Sequence, residues 1–545
     1  MFKFKKIFAM FSTFSMFCLY SSVANSVTQS VTDFKKLDLQ SGTYEIVSKL
    51  NKNKSLDIRG ANNQSGVNLQ LYKKNNTNAQ KFNIVYDGNG YYTIQSKCSG
   101  KMLDVPHQSK KSGTKIWQYY KNNTDAQKWK LVRNNDGTYS FVSKCNGLYL
   151  DVTSGNTLDG TLLQCYKGNG TNAQKFFINN KNKFTCINKK FDGFNCGNIG
   201  SFITEENKSK KVLLVEFNPY HHECVPGYAK YFLNLGYEVD IFILSGYEDC
   251  FSKFDKTEKL KIYTFKNYDE IYENSMILSI IIEKYKFIFL NSIETQHRPL
   301  NEIEIFKKPN TIAVAHTTNS LKKGGNWHFR DIFNNFINEN RIVTLGKFNV
   351  GTFVNPHYFG KIGNHIKNKK TNFIVVGNIY SSNRNYNMLI DAVKKLKSKN
   401  LDFTITIVGR SGSLNVPQEI KEYFNPQGSV SYRNLYKEVD SSDYILMLLD
   451  PKNKDHLRYK TSNVTGNSQL CYGFSKPPII SDGFSDFYKF NNGNSIIYSD
   501  NLAVALEKAI TMDENSYFNL QKNLKETAKD IFSISLNNLK NILKC

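Results

Sequence analysis

NLQLYKKNNTNAQKFNI (residues 68–84), KIWQYYKNNTDAQKWKL (115–131) and TLLQCYKGNGTNAQKFFI (161–178) are one pattern written three times. Equivalent residues recur every 47 positions: Asp57, Asp104 and Asp151; Tyr72, Tyr119 and Tyr166; Asn75, Asn122 and Asn169; Gln80, Gln127 and Gln174. Self-similarity at a fixed period marks a repeated structural unit. Each copy also holds short runs alternating apolar and polar residues, YEIVSK, YTIQSK and YSFVSK, then SLDI, KMLDV and LYLDV, separated by Gly and Asn turns. Period-2 alternation over so few residues predicts strands rather than helices.

Three four-strand units closing around a pseudo-threefold axis make a β-trefoil, expected over residues 41–180. The stretch resembles the ricin B-type lectin family, whose Gln-x-Trp signature stands here as Gln80-Lys81-Phe82, Gln127-Lys128-Trp129 and Gln174-Lys175-Phe176. A sugar offers vicinal hydroxyls on one side and a C–H face on the other, so a pocket for it needs an acceptor carboxylate, an amide and an aromatic platform. The resemblance implies that Asp57, Tyr72 and Asn75, with Asp104, Tyr119 and Asn122, and Asp151, Tyr166 and Asn169, line three shallow carbohydrate pockets. It also implies that Gln80, Phe82, Gln127, Trp129, Gln174 and Phe176 lock the core. Each pocket asparagine begins an Asn-x-Thr sequon, and we read these asparagines as facing a ligand rather than carrying a glycan.

From about residue 210 the pattern changes. KKVLLVEFNP is a buried-strand run, HHECVPGYAKYFLNLG a loop and helix, and YEVDIFIL the next strand; KFIFLNS, TIAVAH and RIVTLG follow. A second series holds NFIVVGNIY, the helix NYNMLIDAVKKLKSKN, DFTITIVGR, SDYILMLLD and PPIISD, with a last helix over about 516–543. Strands alternating with helical spans predict parallel sheets with ligands at the C-terminal strand ends. The expected fold class is therefore multidomain, an N-terminal all-β trefoil followed by α/β units. The domains expected are a linker at 181–209, an N-terminal Rossmann-like domain at 210–365 and a C-terminal one at 366–545 whose last helix crosses back.

This half resembles the two-domain glycosyltransferase-B architecture, in particular its retaining, glycogen-synthase-like class (family 4 type). VVGNIYSSNRNYNMLIDAV matches that family's first strand and loop of the donor domain, ITIVGRSG its next strand and turn, and SKPPIIS its GKPVIAS strand. The resemblance implies a donor-diphosphate site at Gly377, Arg384 and Gly409, an acceptor-side loop at Gly227, and catalytic roles for Arg384 and His316. The family's pair of glutamates seven residues apart is missing, and TGNSQLCYGF stands there instead. Thr465, Gly466, Asn467 and Ser468 would open that helix, where free N–H groups and the positive helix end suit a diphosphate; the same residues also make a plain capping box. His221, His222 and Glu223 are not expected to hold a metal, since adjacent histidines cannot readily share one ion. No metal or other cofactor is expected.

The remaining sequence bounds the partners. Net charge is +25, but the lysines are scattered among asparagines, with no arginine-rich helix and no zinc spacing, which argues against nucleic acid. Lys3, Lys5 and Lys6 precede an apolar run at 7–20 and small residues at Ser21, Ser22 and Ala24, the pattern of a signal peptide over 1–25. The protein is thus expected in the secretory pathway, secreted or in the ER or Golgi lumen, with no membrane span after cleavage; the alternative is an uncleaved signal anchor and a type II membrane protein. Of ten cysteines, Cys18 lies in that leader, and Cys145 with Cys165 and Cys186 with Cys196 are plausible bridges in an oxidising compartment. The function expected is a glycosyltransferase carrying a lectin domain, with carbohydrate and nucleotide sugar as partners; the alternative is a secreted lectin with an inactive transferase-like module. A glycosidase or toxin is disfavoured because no paired-carboxylate segment is recognisable.

Overall fold

The computed structural model describes residue 39 and residues 42–86, 90–180, 188–204, 211–274, 278, 282, 284–294, 308–321, 336, 338–380, 382–409 and 414–544. It divides into two compact units, Met1–Lys183 and Phe184–Cys545. The expected leader lies outside the described residues, as does Cys186. Among the described residues no helix is long and apolar enough to cross a membrane.

The N-terminal unit holds four strands per repeat: β1 (Gly42–Ser48), β2 (Lys54–Ile58), β3 (Leu69–Lys73) and β4 (Phe82–Tyr86); β5 (Tyr92–Ser96), β6 (Met102–Asp104), β7 (Trp117–Tyr119) and β8 (Lys128–Arg133); β9 (Tyr139–Ser143), β10 (Tyr149–Val152), β11 (Thr161–Tyr166) and β12 (Phe176–Asn180). First and fourth strands of the repeats close an antiparallel ring, β1-β4-β5-β8-β9-β12 and back to β1. Closure leaves the ring no unpaired edge. Second and third strands form hairpins β2–β3, β6–β7 and β10–β11. A β3–β11 pairing and single bridges, Asn68 to Trp117 and Lys115 to Gln164, tie the hairpins together.

Phe82, Trp129 and Phe176 are fully buried and share one core with Ile46, Ile94 and Phe141. The bridge expected between Cys145 and Cys165 is not formed: both are free thiols in that core. There they serve as small apolar side chains. Cys145 Sγ pairs with the Ser143 hydroxyl at 3.3 Å, and burial pushes the Cys165 thiol up to about 12.

The C-terminal unit begins where a linker was expected. β13 (Asn188–Phe191) and β14 (Phe194–Asn198) form a hairpin followed by helix α1 (Ile199–Thr204), and β14 pairs in parallel with β17 (Leu260–Phe265). Phe194 and Cys196 are buried in that unit's core, which is why this stretch is ordered structure and not a spacer. The other elements here are β15 (Lys211–Glu216), α2 (Val225–Asn234), β16 (Glu238–Leu244), α3 (Tyr268–Glu273), β18 (Phe287–Leu290), β19 (Thr311–Ala315), β20 (Ile342–Thr344) and β21 (Thr352–Phe353). The sheet order is β13-β14-β17-β16-β15-β18-β19-β20-β21, parallel from β14 onward.

A second parallel sheet, β24-β23-β22-β25-β26-β27, contains β22 (Thr371–Val376), β23 (Phe403–Val408), β24 (Phe424–Gly428), β25 (Tyr444–Leu446), β26 (Pro478–Ser481) and β27 (Ile496–Tyr498). With it come α4 (Tyr386–Lys397), α5 (Tyr432–Ser441), α6 (Arg458–Thr461), α7 (Gly466–Phe474), α8 (Asp482–Ser485), α9 (Leu502–Thr511) and α10 (Glu514–Leu543). Strand order reverses at β15 in one sheet and at β22 in the other, and the crevice outside the C-terminal ends of such strands is where parallel sheets admit ligands. Helix α10 joins the two sheets: Tyr517 and Leu520 enter the core of the second, Leu539 and Leu543 that of the first. Ser535 Oγ accepts the Asn355 N–H at 3.0 Å.

Gly227 is not in a loop. It stands inside α2, buried, and a Cβ there would lie 2.5 Å from the backbone of Pro356. Its lack of a side chain lets helix and chain touch, which is a packing role.

Phe82→Ala is expected to destabilise the trefoil by about 3–5 kcal/mol, whereas Tyr72→Ala, at an exposed ring, should stay within about 0.5 kcal/mol. Denaturant unfolding of the full chain followed by circular dichroism distinguishes them; equal losses would contradict this division between core and surface.

Candidate functional site

In the trefoil, hairpin register builds each pocket. Asp57 lies opposite Gln70, Asp104 opposite Trp117 and Asp151 opposite Gln164. The facing side chain donates to Oδ1 of the aspartate: Gln70 Nε2 at 2.8 Å, Trp117 Nε1 at 2.7 Å and Gln164 Nε2 at 2.9 Å. Gln127 and Gln174 donate to the second oxygen of Asp104 and Asp151 at 3.0 and 3.1 Å. All three carboxylates are thus held inside, only 3–4% exposed. Burial raises Asp57 and Asp104 above the usual carboxylate value against the opposing pull of these donors.

The glutamines also staple the next loop. Gln80, Gln127 and Gln174 accept the N–H of Asn75, Asn122 and Asn169 at 2.9, 3.0 and 3.0 Å. Their amides donate back to the carbonyls of Lys73, Tyr120 and Lys167. Each asparagine Oδ1 in turn accepts the backbone N–H and hydroxyl of the threonine two residues on. That leaves the exposed Nδ2 as the group able to donate outward. Tyr72, Tyr119 and Tyr166 are 39%, 37% and 42% exposed, on the same strand face as the residue facing the aspartate.

In the C-terminal unit, side chains converge at the strand ends predicted by topology. Glu216, closing β15, is 1% exposed. Its Oε1 accepts the N–H and amide of Asn218 at 2.7 and 2.9 Å. Its Oε2 accepts the amide of Asn291 at 2.6 Å and the Ser292 hydroxyl at 2.5 Å. Despite these four donors, burial pushes this carboxyl up to about 7. His316, just beyond β19, stacks on His221 with ring centroids 3.7 Å apart and planes 8° apart. His316 Nε2 meets the Asn291 carbonyl at 2.7 Å. A carbonyl only accepts, so the network assigns the proton to Nε2. Burial and the neighbouring His221 keep His316 well below its usual pKa. Burial also lowers His221, but Glu223, 3.6 Å away, with Glu216 and Glu294, outweighs it and leaves His221 raised. The two shifts are opposed, so His221 takes up a second ring proton before His316 does. His222 faces elsewhere, stacked on Tyr247, and Glu223 accepts the Tyr432 hydroxyl at 2.8 Å.

The second sheet meets this cluster. Thr317 Oγ1 donates to Asn463 Oδ1 at 3.2 Å, and Thr318 N–H to the Ser462 carbonyl at 2.9 Å. Two residues beyond Asn463, Thr465 caps α7, its hydroxyl oxygen accepting the Asn467 N–H at 3.4 Å and Arg384 Nη2 at 3.0 Å. Arg384, 5% exposed, also donates to the carbonyls of Asn383 and Val376, while its Nε has no partner. The buried Asn467 Nδ2 is likewise unpartnered, whereas the Ser468 hydroxyl turns back to the Thr465 carbonyl at 2.8 Å. Gly466 opens the helix itself. Gly377 lies 3.5 Å, measured from where its Cβ would stand, from Arg384 Nη2. Gly409 approaches so closely that a Cβ would fall 2.1 Å from the Gly377 carbonyl oxygen. Behind α7, between Leu345, Val464 and Phe487, is a cavity of about 40 Å³, far too small for a nucleotide, whose pockets run to hundreds of cubic ångströms.

Residues 33–119, 78–166 and 125–196 match the family model for ricin-type beta-trefoil lectin domain-like sequences. The N-terminal unit carries a ricin-type trefoil lectin domain. Among solved structures, the chain is similar to ThreeFoil, a designed threefold-symmetric protein (32% identity, 26% of this chain, 99% of that one, TM-score 0.25). It is also similar to the Rhizoctonia solani agglutinin (21%, 26% and 97%, TM-score 0.24) and to the C-half of the earthworm R-type lectin crystallised with GalNAc (22%, 25% and 98%, TM-score 0.21). Of a mosquitocidal holotoxin it spans 18% of the length, at 26% identity over 28% of this chain and TM-score 0.25. No curated protein matches the sequence.

Within the ricin-type trefoil, the position 13 residues after each aspartate escaped the sequence reading, because it is Gln in two repeats and Trp in the other. Only strand register reveals that all three do the same work. In the C-terminal unit, Glu216 and Asn291 were not singled out for the site, since a lone polar residue at a strand end carries no periodic signal, and His221 was weighed only as a metal ligand.

The raised carboxyl of Glu216 has a measurable consequence. Its ordinary value is 4.5 and its folded value about 7, so between those limits the folded state binds more proton than the unfolded one and stability falls as pH rises, by at most about 1.4 kcal/mol per pH unit. Glu216→Gln should flatten that slope between pH 4.5 and 7 in denaturant unfolding compared with the native chain; Asn218 Oδ1 and Asn291 Oδ1, both unpartnered, can accept the new amide by turning over. An identical slope in both proteins would refute a protonated Glu216.

Proposed function

We propose that this chain binds carbohydrate through its three trefoil pockets, and that its C-terminal unit transfers a sugar from a nucleotide-sugar donor to a glycan or glycoconjugate acceptor. The lectin half rests on the aspartate, tyrosine and asparagine repeated in each pocket. The observation that carries the transferase half is the Arg384 Nη2 contact with Thr465 Oγ1, 3.0 Å, at the first turn of α7. It sets a guanidinium with a spare N–H beside a positive helix end, in the crevice where two parallel sheets meet, and that is a setting suited to a diphosphate. The sheet orders and the helix α10 that joins them support the resemblance to the glycosyltransferase-B architecture.

In this reading the departing nucleoside diphosphate is stabilised electrostatically by Arg384, the N–H of Gly466 and the unpartnered Asn467 Nδ2, with no metal required. His316, held neutral with Nε2–H donated to Asn291, faces the acceptor side. Retention of anomeric configuration follows if the family likeness holds. A glycan held by the trefoil would be tethered to the same chain as the transferase site, which raises its effective concentration there. A lumenal secretory compartment, as the leader pattern suggests, would supply the nucleotide sugar. A second reading, a secreted lectin with a non-catalytic module, is favoured by the missing glutamate pair and by the Ser468 hydroxyl being used internally.

Thermal unfolding of the full chain with UDP, GDP and their common sugar conjugates should show a shift with one nucleotide, since a ligand at 100 times its Kd adds about 2.7 kcal/mol; Arg384→Ala should abolish it. No shift with any of them would leave the second reading standing. Independently, replacing Tyr72, Tyr119 and Tyr166 together by Ala should eliminate binding on a glycan array without lowering thermal stability, and retained binding would sink the pocket assignment.

A further inference from the structure

The three pockets are not equivalent, and the difference lies in what braces the tyrosine. In the first and third, the residue facing the aspartate is Gln70 or Gln164, and among the described residues no ring packs against Tyr72 or Tyr166. In the second it is Trp117, which makes the same hydrogen bond to Asp104 through its indole N–H. Its ring also stacks on Tyr119, with centroids 5.5 Å apart and planes 16° apart. The indole is itself held: the His107 ring meets it edge-on at 5.5 Å, and Gly66, from the first repeat, backs it with a Cβ position 3.6 Å from its Cε3. Tyr120 sets its ring against Tyr119 at 76°.

The turn after the aspartate differs in the same direction. It holds two left-handed residues, Gly60 and Ala61 in the first repeat (φ 66° and 49°), His107 and Gln108 in the second (52° and 53°), and Ser154 and Gly155 in the third (55° and 61°), so only the second repeat has no glycine there. A side chain larger than glycine is strained there, and such strain is retained at ligand clamps. At His107 the strained backbone delivers a ring onto Trp117.

We infer that the second pocket, built from Asp104, His107, Trp117, Tyr119 and Asn122, is the dominant carbohydrate site of the trefoil, with Trp117 the residue that makes it so. This rests on the lectin reading. A sugar covering its C–H face needs an aromatic ring at a fixed angle. Tyr72 and Tyr166 must be immobilised when the sugar arrives, whereas Tyr119 is immobilised already by Trp117 and Tyr120. Immobilising one such side chain costs about 0.5–1.5 kcal/mol, which corresponds to a preference of roughly two- to tenfold for the second pocket. Trp117 acts through its contacts with Tyr119 and Asp104, as a positioning residue.

The test is calorimetric titration of the full chain with lactose, N-acetylgalactosamine, N-acetylglucosamine and methyl mannoside, followed by variants with whichever binds. Tyr119→Ala should remove the tightest site, while Tyr72→Ala and Tyr166→Ala each remove only a weaker one. Trp117→Gln installs the residue that the other repeats use against the same carboxylate, so the fold is expected to hold, as thermal unfolding will verify; the tight site should weaken two- to tenfold until the three are alike. Unchanged affinity in Trp117→Gln, or equal losses from the three tyrosine variants, would overturn the ranking while leaving the lectin reading intact. A native chain that binds none of these sugars and nothing on a glycan array would overturn the lectin reading and the ranking with it.

Discussion

A carboxyl group taken out of water must be given donors, and in both units of this protein the chain around the site is arranged to supply them. In the trefoil, Asp57, Asp104 and Asp151 sit on the second strand of each repeat, nearly covered, and the hairpin register puts a donor directly opposite each. In the C-terminal unit, Glu216 stands at the end of a central parallel strand and gathers Asn218, Asn291 and Ser292 around it. The loops that carry the exposed chemistry are anchored to these buried carboxyls. Gln127 and Gln174 join their aspartate to the loop bearing the pocket asparagine, and the Asn291 that serves Glu216 orients His316 through its carbonyl.

Repetition and divergence have separate physical limits in the trefoil. The barrel can close only if each repeat returns its aromatic and its glutamine to the same place, because Phe82, Trp129 and Phe176 share one core. The residue facing the aspartate is less constrained: it has to donate one hydrogen bond, which an amide or an indole does equally well. That freedom is where the repeats part company, and the exchange of Gln for Trp alters the stiffness of the neighbouring tyrosine without touching the core.

The C-terminal unit is organised by a different rule. Apart from β13 its two sheets are parallel, so the other strands of each sheet end on one side, and the reversal of order at β15 and β22 opens a crevice at those ends. Residues that fill it come from distant positions, Thr317 against Asn463 and Arg384 against Thr465, 146 and 81 residues apart. Helix α10 fastens the two sheets to each other, its apolar face dividing between two cores.

The sequence by itself determined the trefoil, because a 47-residue period repeated three times specifies both the strands and which residues must share an environment. It also determined the parallel character of the second half, since runs such as KVLLVE and FTITIV are apolar enough to be buried on both faces. It left 188–204 looking like a spacer, because NKKF and FNCGN are short and polar: the first pairs with the second, and the second with a segment some sixty residues on. Gly227 read as a turn because nothing local announces that Pro356 will lie against it. Tertiary structure alone decided that Trp117 and the two glutamines are equivalent, that Cys145 and Cys165 are packing groups, and that His221 stacks on His316. Each of those depends on registers and long-range contacts, and the free energy that selects them comes from filling a shared core and satisfying buried polar groups, which no local pattern of residues records.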